Sequence, residues 1–316
     1  MRKLAIIAIG GNSLIRDEAH KTVEDQYDAV CRTAKHVAGI IEQGYDVVIT
    51  HGNGPQVGFI LRRSEIAYET AHMHRVPLVI CGADTQGAIG YQIQQALDNE
   101  FKRRKVKKSA VTIITQVVVA ADDPAFLNPS KPIGSFYTEE QVAVLRRENT
   151  NLVFKSDANR GYRRMVASPR PSRIIERNII RKLASDGYCV IAVGGGGIPV
   201  LEQPDGTFQG VDAVIDKDLA SSLLGSQINA DTLVISTSVS KVSLNYGQPD
   251  QRDLDEVHVS ELKQYMLQNQ FAPGSMLPKI QAVIEFLERG GKKAIITSPD
   301  LLEDAVAGKT GTHILG

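Results

Sequence analysis

The chain has 316 residues, of which 42% are hydrophobic and 23% are charged, values that are ordinary for a globular protein. Its 36 basic and 36 acidic residues cancel, which argues against binding of nucleic acid or an acidic membrane through bulk charge. Three cysteines without a CxxC pair favour reduced thiols over a disulfide framework or a zinc ribbon. No apolar segment has the length of a signal peptide or a membrane span. We therefore expect a cytoplasmic protein with neither nucleic-acid nor membrane partners.

Strands and helices alternate from the start of the chain. Residues 4–9 are continuously apolar, which predicts a strand buried on both faces. Thr22, with Asp25 three residues later, predicts the start of a helix that Gly44 ends. Residues 47–50 predict a second strand, and a glycine-rich turn follows each of the two strands. This order is typical of a parallel sheet with helices on both faces.

The same alternation continues downstream. Helices are predicted at residues 88–104, 172–185, 219–224 and 278–289, and each precedes a predicted strand, at residues 111–119, 189–193, 232–236 and 294–297. A helix at residues 301–307 and a strand at 312–315 close the chain. The basic run at residues 102–108 lies at the end of a predicted helix, where we expect it to form a solvated face.

One segment interrupts this rhythm. Residues 120–137 are rich in Asp, Pro and Gly, and a short predicted helix at 139–147 and a polar stretch follow them. A long irregular insertion in a compact α/β protein is either disordered or a functional lid. The aromatic residues of the segment favour an ordered small subdomain that projects from the sheet.

Common catalytic signatures are missing from the sequence. The GKT triplet at residues 308–310 lacks the upstream glycine of a P-loop, and the turn at residues 52–58 misses the dinucleotide fingerprint by one residue. Neither a GxSxG elbow nor an HExxH motif is present. Serine hydrolases and zinc enzymes are therefore disfavoured.

Glycine-rich turns follow several predicted strands, at residues 10–12, 52–54 and 194–197. Such turns expose successive backbone N–H groups, which suits phosphate or another small anion. One such turn alone is ordinarily a tight turn without a ligand. Because ligands of doubly wound sheets bind at the carboxyl ends of the strands, several turns at that edge favour a shared anion site.

Charged residues at two predicted helix starts agree with an anion site. The triplet Asp216-Lys217-Asp218 follows apolar residues and precedes a helix, whereas an ordinary surface charge cluster is the alternative. Lys279 lies in the first turn of another helix, near the positive end of the helix dipole. A lysine there is unfavourable unless an anion is shared, so we expect a phosphate partner.

The sequence closely resembles the carbamate kinases of the amino-acid kinase family, and the resemblance covers nearly the whole chain. The motifs that carry it are residues 8–12 (AIGGN), 50–58 (THGNGPQVG), 86–91, 123–137, 160–164 (RGYRR), 194–199, 215–218 (IDKD) and 274–279 (GSMLPK). Single motifs of this kind are moderately specific, but eight in the same order are very specific.

The resemblance implies an α/β fold with an open, mainly parallel eight-stranded sheet sandwiched between helix layers, and a small protruding subdomain. Residues 1–316 would form one domain. Its substrate-binding half would be residues 1–200, with the protruding subdomain at about 120–170, and its nucleotide-binding half residues 201–316. The resemblance also implies a homodimer.

The activity that the resemblance implies is reversible phosphoryl transfer between ATP and carbamate, through carbamoyl phosphate and ADP. Mg²⁺ would come with ATP or ADP, and no metal would be held by the protein. The implied catalytic residues are Lys131, Lys217, Asp218 and Lys279. The implied substrate-binding residues are Gly10, Gly11, Asn12, Gly52, Asn53 and Gly54. The implied nucleotide-binding residues are Ser236, Thr237, Gly274, Ser275 and Met276.

Three departures from the family pattern and two rival functions stay open. Asn159 and Leu277 stand where the family usually has Gly, and Ala167 where it has Pro, yet none of them removes a charged residue. Acetylglutamate, glutamate or uridylate kinases share the fold, but the segment at residues 123–137 argues against them. A regulator that binds the ligands without catalysis is the other alternative. The pathway stays open between arginine, agmatine and purine degradation.

Overall fold

A computed structural model describes residues 2–10, 22–157 and 160–316 of the chain. The strands of this described part are, in chain order, β1 (Lys3–Ile9), β2 (Tyr45–His51), β3 (Ala110–Thr112), β4 (Gln116–Val119), β5 (Lys131–Tyr137), β6 (Val153–Asp157), β7 (Gly161–Val166), β8 (Pro171–Ile174), β9 (Cys189–Ile191), β10 (Ile198–Glu202), β11 (Phe208–Gly210), β12 (Thr232–Ser236), β13 (Val242–Leu244), β14 (Arg252–Leu254), β15 (Glu256–His258), β16 (Lys293–Thr297) and β17 (Thr312–Leu315). The helices are α1 (Val23–Glu42), α2 (Gln56–Ala71), α3 (Leu78–Arg104), α4 (Glu139–Glu148), α5 (Arg177–Ser185), α6 (Lys217–Gln227), α7 (Val259–Leu267), α8 (Met276–Glu288) and α9 (Leu302–Val306).

The central sheet has eight strands in the order β15-β17-β16-β12-β1-β2-β9-β3. All neighbouring pairs are parallel except β16 and β17, which are antiparallel. The predicted α/β class and the mainly parallel eight-stranded sheet are therefore confirmed. The same order makes β12, β1, β2 and β9 consecutive, so the turns after these four strands are neighbours.

Strand β1 is buried on both faces, as its apolar sequence predicts. Because successive side chains of a strand point to opposite faces, Ile6 packs against the layer of α5, α6, α7 and α8. Ile7 packs against the opposite layer of α1, α3 and α9. Helix α1 begins with the predicted cap, in which Thr22 and Asp25 form a capping box.

Along residues 2–10, 22–157 and 160–316, no helix combines the length and apolar character needed to cross a membrane.

The single strand predicted at residues 111–119 is wrong, because the structure divides this segment between two sheets. Strand β3 lies in the central sheet, and β4 lies in a four-stranded sheet with the order β11-β10-β4-β8. Between them the side chain of Gln86 bonds both backbone groups of Thr115. Its Oε1 accepts from the Thr115 amide at 2.8 Å, and its Nε2 donates to the Thr115 carbonyl at 3.1 Å. The same carbonyl oxygen accepts from the Ile198 amide at 2.9 Å, so the chain passes to its new partner, β10, at Thr115.

The helix predicted at residues 172–185 is shorter in the structure. Its first residues form β8, where Ile174 pairs with Val117 of β4, and α5 begins only at Arg177. The predicted helix at 88–104 begins earlier, at Leu78.

The basic run at residues 102–108, at the end of α3, is not wholly solvated. The Lys108 side chain is only 7% exposed, and its Nζ donates to Asp46 Oδ1 at 2.9 Å and to the Gly187 carbonyl at 2.6 Å.

The insertion forms an ordered unit around a small antiparallel sheet. Strands β5, β7 and β6 pair in that order, and α4 follows β5. A separate apolar cluster holds the unit together, with Tyr137 and Phe154 in edge-to-face contact at 5.4 Å between ring centroids. We call residues 131–166 the insertion subdomain. Its strand β5 begins at Lys131, which is one of the predicted site residues.

Candidate active site

The carboxyl ends of the central parallel strands carry most of the predicted site residues. Gly10 follows β1, and Gly52, Asn53 and Gly54 follow β2. Ser236 is the last residue of β12, which pairs with β1. A Cβ atom at Gly10 would lie 2.9 Å from the Ser236 carbonyl oxygen, so only glycine fits where the ends of β1 and β12 meet. Gly11 and Asn12 lie outside the described residues, as does Asn159.

Helix α6 presents its first residues to this edge of the sheet. Asp216 is the N-cap, and its Oδ1 accepts hydrogen bonds from the amides of Asp218 and Leu219 at 2.9 and 3.2 Å. The predicted helix start at this triplet is thus confirmed. Because the cap fixes the first turn of the helix, the side chains of Lys217 and Asp218 leave it in defined directions.

Asp218 is the centre of a buried charge cluster. The residue is 3% exposed, and its two carboxylate oxygens face different lysines. Lys217 Nζ lies 2.8 Å from Oδ1, and Lys279 Nζ donates to Oδ2 at 2.8 Å. Lys279 comes from the first turn of α8, as the sequence predicts. Burial alone would raise the pKa of Asp218, but the two ammonium groups outweigh burial and hold it at about 2. Asp218 is therefore ionised.

Lys217 reaches from this cluster towards the end of β1. Its Nζ lies 3.4 Å from the Ala8 carbonyl oxygen and 3.9 Å from the place where a Cβ of Gly10 would stand. The carbonyl oxygen of Lys217 accepts from Ser221 Oγ at 2.6 Å, and Ser221 Oγ lies 2.6 Å from Thr50 Oγ1. This buried hydroxyl chain fastens the start of α6 to the end of β2.

Lys131 enters the same region from the insertion subdomain. Its Nζ donates to the Ile215 carbonyl oxygen at 3.1 Å and lies 3.7 Å from Asp216 Oδ2. Burial of the ammonium group lowers the pKa of Lys131, and the negative charges of Asp216 and Asp218 oppose this effect. The lysines at residues 131, 217 and 279 thus meet two aspartates. This cluster has one more positive than negative charge, a balance that attracts an anion.

The turn after β2 is open on the side where glycine lacks a side chain. A Cβ atom at Gly52 or Gly54 would meet no atom within 4 Å. His51, directly before the turn, is buried, and its Nδ1 lies 2.8 Å from the Gly52 carbonyl oxygen. Burial lowers the pKa of His51 to about 4; the bond to Gly52 opposes this shift and Lys217 adds to it. His51 is therefore neutral near pH 7.

The glycine run after β9 differs from this open turn. A Cβ atom would meet His51 Nε2 at 2.4 Å from Gly194, and Asn53 Nδ2 at 2.3 Å from Gly195. From Gly196 it would meet the Ile215 carbonyl oxygen at 2.5 Å. The Gly196 and Gly197 amides donate to the Val193 and Gly194 carbonyl oxygens at 3.1 and 3.0 Å, so the expectation that this run offers another open anion turn is not supported. The run instead packs against the residues that form the second turn.

The predicted nucleotide residues occupy two places in the chain. Ser236 ends β12 and Thr237 follows it, with the Thr237 amide donating to the Thr297 carbonyl oxygen at 2.8 Å. Gly274 and Ser275 are exposed, and Met276 begins α8. Gly274 has a φ of 76°, which favours glycine. Lys279 lies one turn after Ser275, so the start of α8 connects this segment with Asp218.

Gln86 opens the motif at residues 86–91, but the sequence predicted no role for its side chain, which the structure places against the glycine run after β9. Its side chain is buried, and its Nε2 donates to the Gly194 carbonyl oxygen at 2.9 Å as well as to Thr115. The signal available in the sequence was the place of Gln86 in that motif. Thr50 and Ser221 were missed for a simpler reason, since hydroxyl residues are frequent in both strands and helices.

A resident metal ion does not fit the donor set of the cluster. Among residues 2–10, 22–157 and 160–316, no group of three or more His, Cys, Asp or Glu side chains is placed to hold one. Both oxygens of Asp218 face ammonium groups, and Asp216 caps α6 with one oxygen and faces Lys131 with the other. A divalent cation at this cluster would have to arrive with oxygens of its own ligand.

Comparisons with known proteins cover the whole chain. The amino acid kinase family model matches residues 3–298. The carbamate kinase-like protein YahI of Escherichia coli is 51% identical over 100% of this chain and 99% of its own length. The carbamate kinase of Thermococcus kodakarensis is 47% identical over 99% of both chains. The structure of Giardia lamblia carbamate kinase bound to AMP-PNP is similar, with a TM-score of 0.94 and 42% identity, and covers 99% of this chain and 98% of that one.

Proposed function

The chain belongs to the amino acid kinase family, and we propose that it is a carbamate kinase. The reaction is reversible phosphoryl transfer between ATP and carbamate. In the direction of ATP synthesis, ADP and carbamoyl phosphate give ATP and carbamate, which decomposes to ammonia and carbon dioxide. Full-length similarity to proteins named carbamate kinase, at 45–47% identity in several organisms, supports this activity.

The observation that carries the proposal is the pair of lysines on Asp218. Phosphoryl transfer requires alignment and neutralisation of charge more than covalent help from the protein. Lys217 and Lys279 present two ammonium groups on one buried carboxylate, beside Gly10 at the end of β1. We assign both lysines to the oxygens of the transferred phosphoryl group. Asp218 orients them and lowers their mutual repulsion.

Lys131 supplies a third positive charge from the insertion subdomain. Its contacts with Ile215 and Asp216 bring the ammonium group to the start of α6 without neutralising it fully, since Asp216 Oδ2 lies 3.7 Å away. We propose that this amine binds the small substrate from the side of the insertion subdomain and that the subdomain excludes water there. Carbamate is already an anion, so no side chain is required as a general base.

The glycine turns bind the small substrate in this proposal. The backbone N–H groups of Gly10, Gly11 and Gly54 donate to it, and the side-chain amides of Asn12 and Asn53 assist. The Gly52 N–H donates to the Ile9 carbonyl oxygen at 3.1 Å, so Gly52 contributes the open face of the turn. The open space at Gly52 and Gly54 supports this role, because a ligand can approach their backbone closely. Asn53 is 8% exposed, so little solvent competes for its amide.

The nucleotide lies over the other half of the carboxyl edge in this proposal. ATP or ADP contacts Ser236 and Thr237 after β12, and Gly274, Ser275 and Met276 before α8. The N-terminus of α8 favours the negative phosphates. Mg²⁺ is carried by the nucleotide phosphates, which supply the oxygen ligands that the cluster does not offer. The partly buried Leu277 bounds this side of the site where the family usually has Gly.

Several properties are proposed on the family resemblance alone. Residues 1–200 bind the small substrate, residues 201–316 bind the nucleotide, and both halves belong to one domain. The protein is a homodimer in the cytoplasm. Its reaction serves the breakdown of a nitrogen compound in which carbamoyl phosphate is formed, with arginine metabolism as the first pathway to examine.

Measurement of ATP formation from ADP and carbamoyl phosphate tests the proposal. We expect turnover that depends on both substrates and on Mg²⁺. The reverse assay compares carbamate with acetylglutamate, glutamate and UMP as phosphoryl acceptors for ATP, and we expect transfer to carbamate only. Binding of carbamoyl phosphate and ADP without turnover would instead identify a regulator, and transfer to another acceptor would identify a different kinase of the family.

A further inference from the structure

The insertion subdomain contacts α2 through a close backbone approach. A Cβ atom at Gly58 would lie 2.1 Å from Gly134 Cα, so β5 touches the first turn of α2. Gly58 comes four residues after Gly54 of the open turn, and Gly134 comes three residues after Lys131. The helix that follows the proposed substrate turn therefore contacts the strand that carries Lys131.

A second contact joins the same two elements close to the first. Tyr137 lies three residues after Gly134, beyond a register shift of β5 between Ile133 and Phe136. The Tyr137 hydroxyl oxygen lies 3.9 Å from the place where a Cβ atom of Gly134 would stand. Tyr137 OH donates to Glu65 Oε2 at 3.1 Å, so Glu65 of α2 contacts the subdomain beside Gly134.

Glu65 is a buried carboxylate with partners from both sides of the contact. Its side chain is 7% exposed. Arg62 of α2 lies 3.3 Å from Oε2, and Arg164 of β7 lies 3.3 Å from Oε1. Arg62 also lies over the Tyr137 ring, 5.5 Å from its centroid. Burial, and then the negative charge of Glu65, raise the pKa of Tyr137, so the phenol stays protonated as the donor.

The charge of Glu65 is what makes this contact attractive. Two guanidinium groups face it, one from α2 and one from the subdomain. Without the carboxylate these like charges would repel each other across the contact, and the Tyr137 hydroxyl would lose its acceptor. The cluster at Glu65 lies beside Gly134, three residues after Lys131 on β5, so it controls how the strand is held against α2.

We infer that Glu65 is a positioning residue that holds the insertion subdomain on α2 and thereby keeps Lys131 at the proposed phosphoryl-transfer site. This role rests on the proposed function as far as Lys131 acts on substrate. Its mechanical part, the hold of Glu65 on β5, does not depend on the reaction.

Glu65→Gln tests the role, because it keeps the size of the side chain and removes its charge. Glu69→Gln is the matched control: Glu69 lies one turn further along α2, is 42% exposed and also faces Arg62, at 3.7 Å. We expect Glu65→Gln to lower kcat/KM for carbamoyl phosphate about tenfold. ADP affinity, measured by calorimetry, should stay unchanged, and Glu69→Gln should behave as the parent. A loss of ADP affinity in Glu65→Gln as large as its loss of kcat/KM for carbamoyl phosphate would overturn the role.

A double-mutant cycle with Lys131→Ala separates positioning from general damage. If Glu65 acts through Lys131, the tenfold effect of Glu65→Gln disappears when Lys131 is already alanine. An undiminished effect in that background contradicts the inference. Detection of ATP by luminescence gives the sensitivity that the slow double variant needs.

Hydrogen exchange decides the mechanical part separately. Amides of β5 should exchange faster in Glu65→Gln than in Glu69→Gln, while those of the central sheet should not. Tyr137→Phe, which removes only a hydroxyl group, should cause a smaller change in the same direction and serves if Glu65→Gln folds poorly. Unchanged exchange in β5 refutes the hold. If the wild-type protein does not turn over carbamoyl phosphate, the proposed function fails, yet exchange still decides whether Glu65 secures the subdomain.

Discussion

Two aspartates at opposite edges of the central sheet have lysine partners but different surroundings. Asp218, at the carboxyl edge, faces two lysines whose side chains are 11% and 19% exposed. Asp231, at the amino edge, accepts from the Leu4 amide at 2.8 Å and from Lys292, whose side chain is 77% exposed. Asp231 thus joins the starts of β1 and β12, and its lysine is solvated. At Asp218 the lysines are desolvated beside open glycine turns.

The difference teaches which feature marks an anion site in this fold. A lysine–aspartate pair occurs at both edges, so residue type alone does not distinguish them. What differs is the arrangement of the charges. At Asp218 two lysines that are sheltered from water share one carboxylate, whereas the lysine of Asp231 is solvated and lines an open cavity at the amino edge. The following variants test each side of this contrast.

Lys217→Ala and Lys279→Ala should have the largest effect. Each removes one ammonium group from the proposed phosphate site, so turnover should fall on the order of 10²-fold or more. Asp218 keeps its other lysine in either variant, so the melting temperature should change little. Steady-state kinetics and calorimetry measure the two quantities. Lys292→Ala at the amino edge is the control and should keep full turnover; near-native turnover of either test variant would remove the phosphate role.

Lys131→Ala should have the next largest effect, confined to one substrate. We expect kcat/KM for carbamoyl phosphate to fall about 10- to 100-fold, because the subdomain no longer brings a positive charge to the substrate. ADP affinity should stay nearly unchanged, because residues 201–316 bind the nucleotide in the proposed function. Calorimetric titration of ADP beside steady-state kinetics checks this. An equal loss of ADP affinity would assign Lys131 to the nucleotide.

Lys108→Ala should affect stability and leave catalysis unchanged. The Lys108 side chain is sheltered at the amino edge, where it joins Asp46 to the Gly187 carbonyl oxygen. Loss of these charged hydrogen bonds should lower the free energy of unfolding by about 2 kcal/mol. Denaturant titration measures this loss, and kcat per folded molecule should equal that of the parent. A large fall in kcat would mean that the two edges are coupled.

His51 should give the smallest effect, a dependence of stability on pH. Its native pKa of about 4 lies below the ordinary 6.5, so the unfolded state binds more protons between these values. Stability should therefore fall as the pH falls, by about 1 kcal/mol from pH 6 to pH 5. His51→Gln should lack this component. Chemical unfolding of both proteins at the two pH values measures the difference. An identical change in the free energy of unfolding for both proteins would show that His51 is not held neutral.

Much of the fold follows from local sequence patterns. The apolar run of β1 and the capping box of α1 depend on neighbouring residues, and both were predicted. The boundary between β3 and β4 was not, because it depends on Gln86, which is distant in the sequence. The start of α5 was misplaced since β8 acquires its partner, β4, only in the tertiary structure.

The candidate site was predictable where a helix start or a glycine turn marked it. Lys217, Asp218 and Lys279 were named on that basis, and the structure brings them together. Glu65 carried no such mark, because it is one charged residue among several on α2, and its partners Tyr137 and Arg164 come from the insertion subdomain. Lys108 was misjudged for the same reason, since its neighbours in the sequence are indeed largely solvated.

The matched pair Asp218→Asn and Asp231→Asn tests the central claim most directly. Both variants replace a carboxylate with an amide of the same shape, one at each edge of the sheet. ATP formation from ADP and carbamoyl phosphate is measured for both, with the folded fraction determined by calorimetry. We predict that Asp218→Asn loses on the order of 10²-fold in turnover, because its two lysines repel each other out of position, while Asp231→Asn turns over as the parent does. Native turnover of Asp218→Asn would contradict the account.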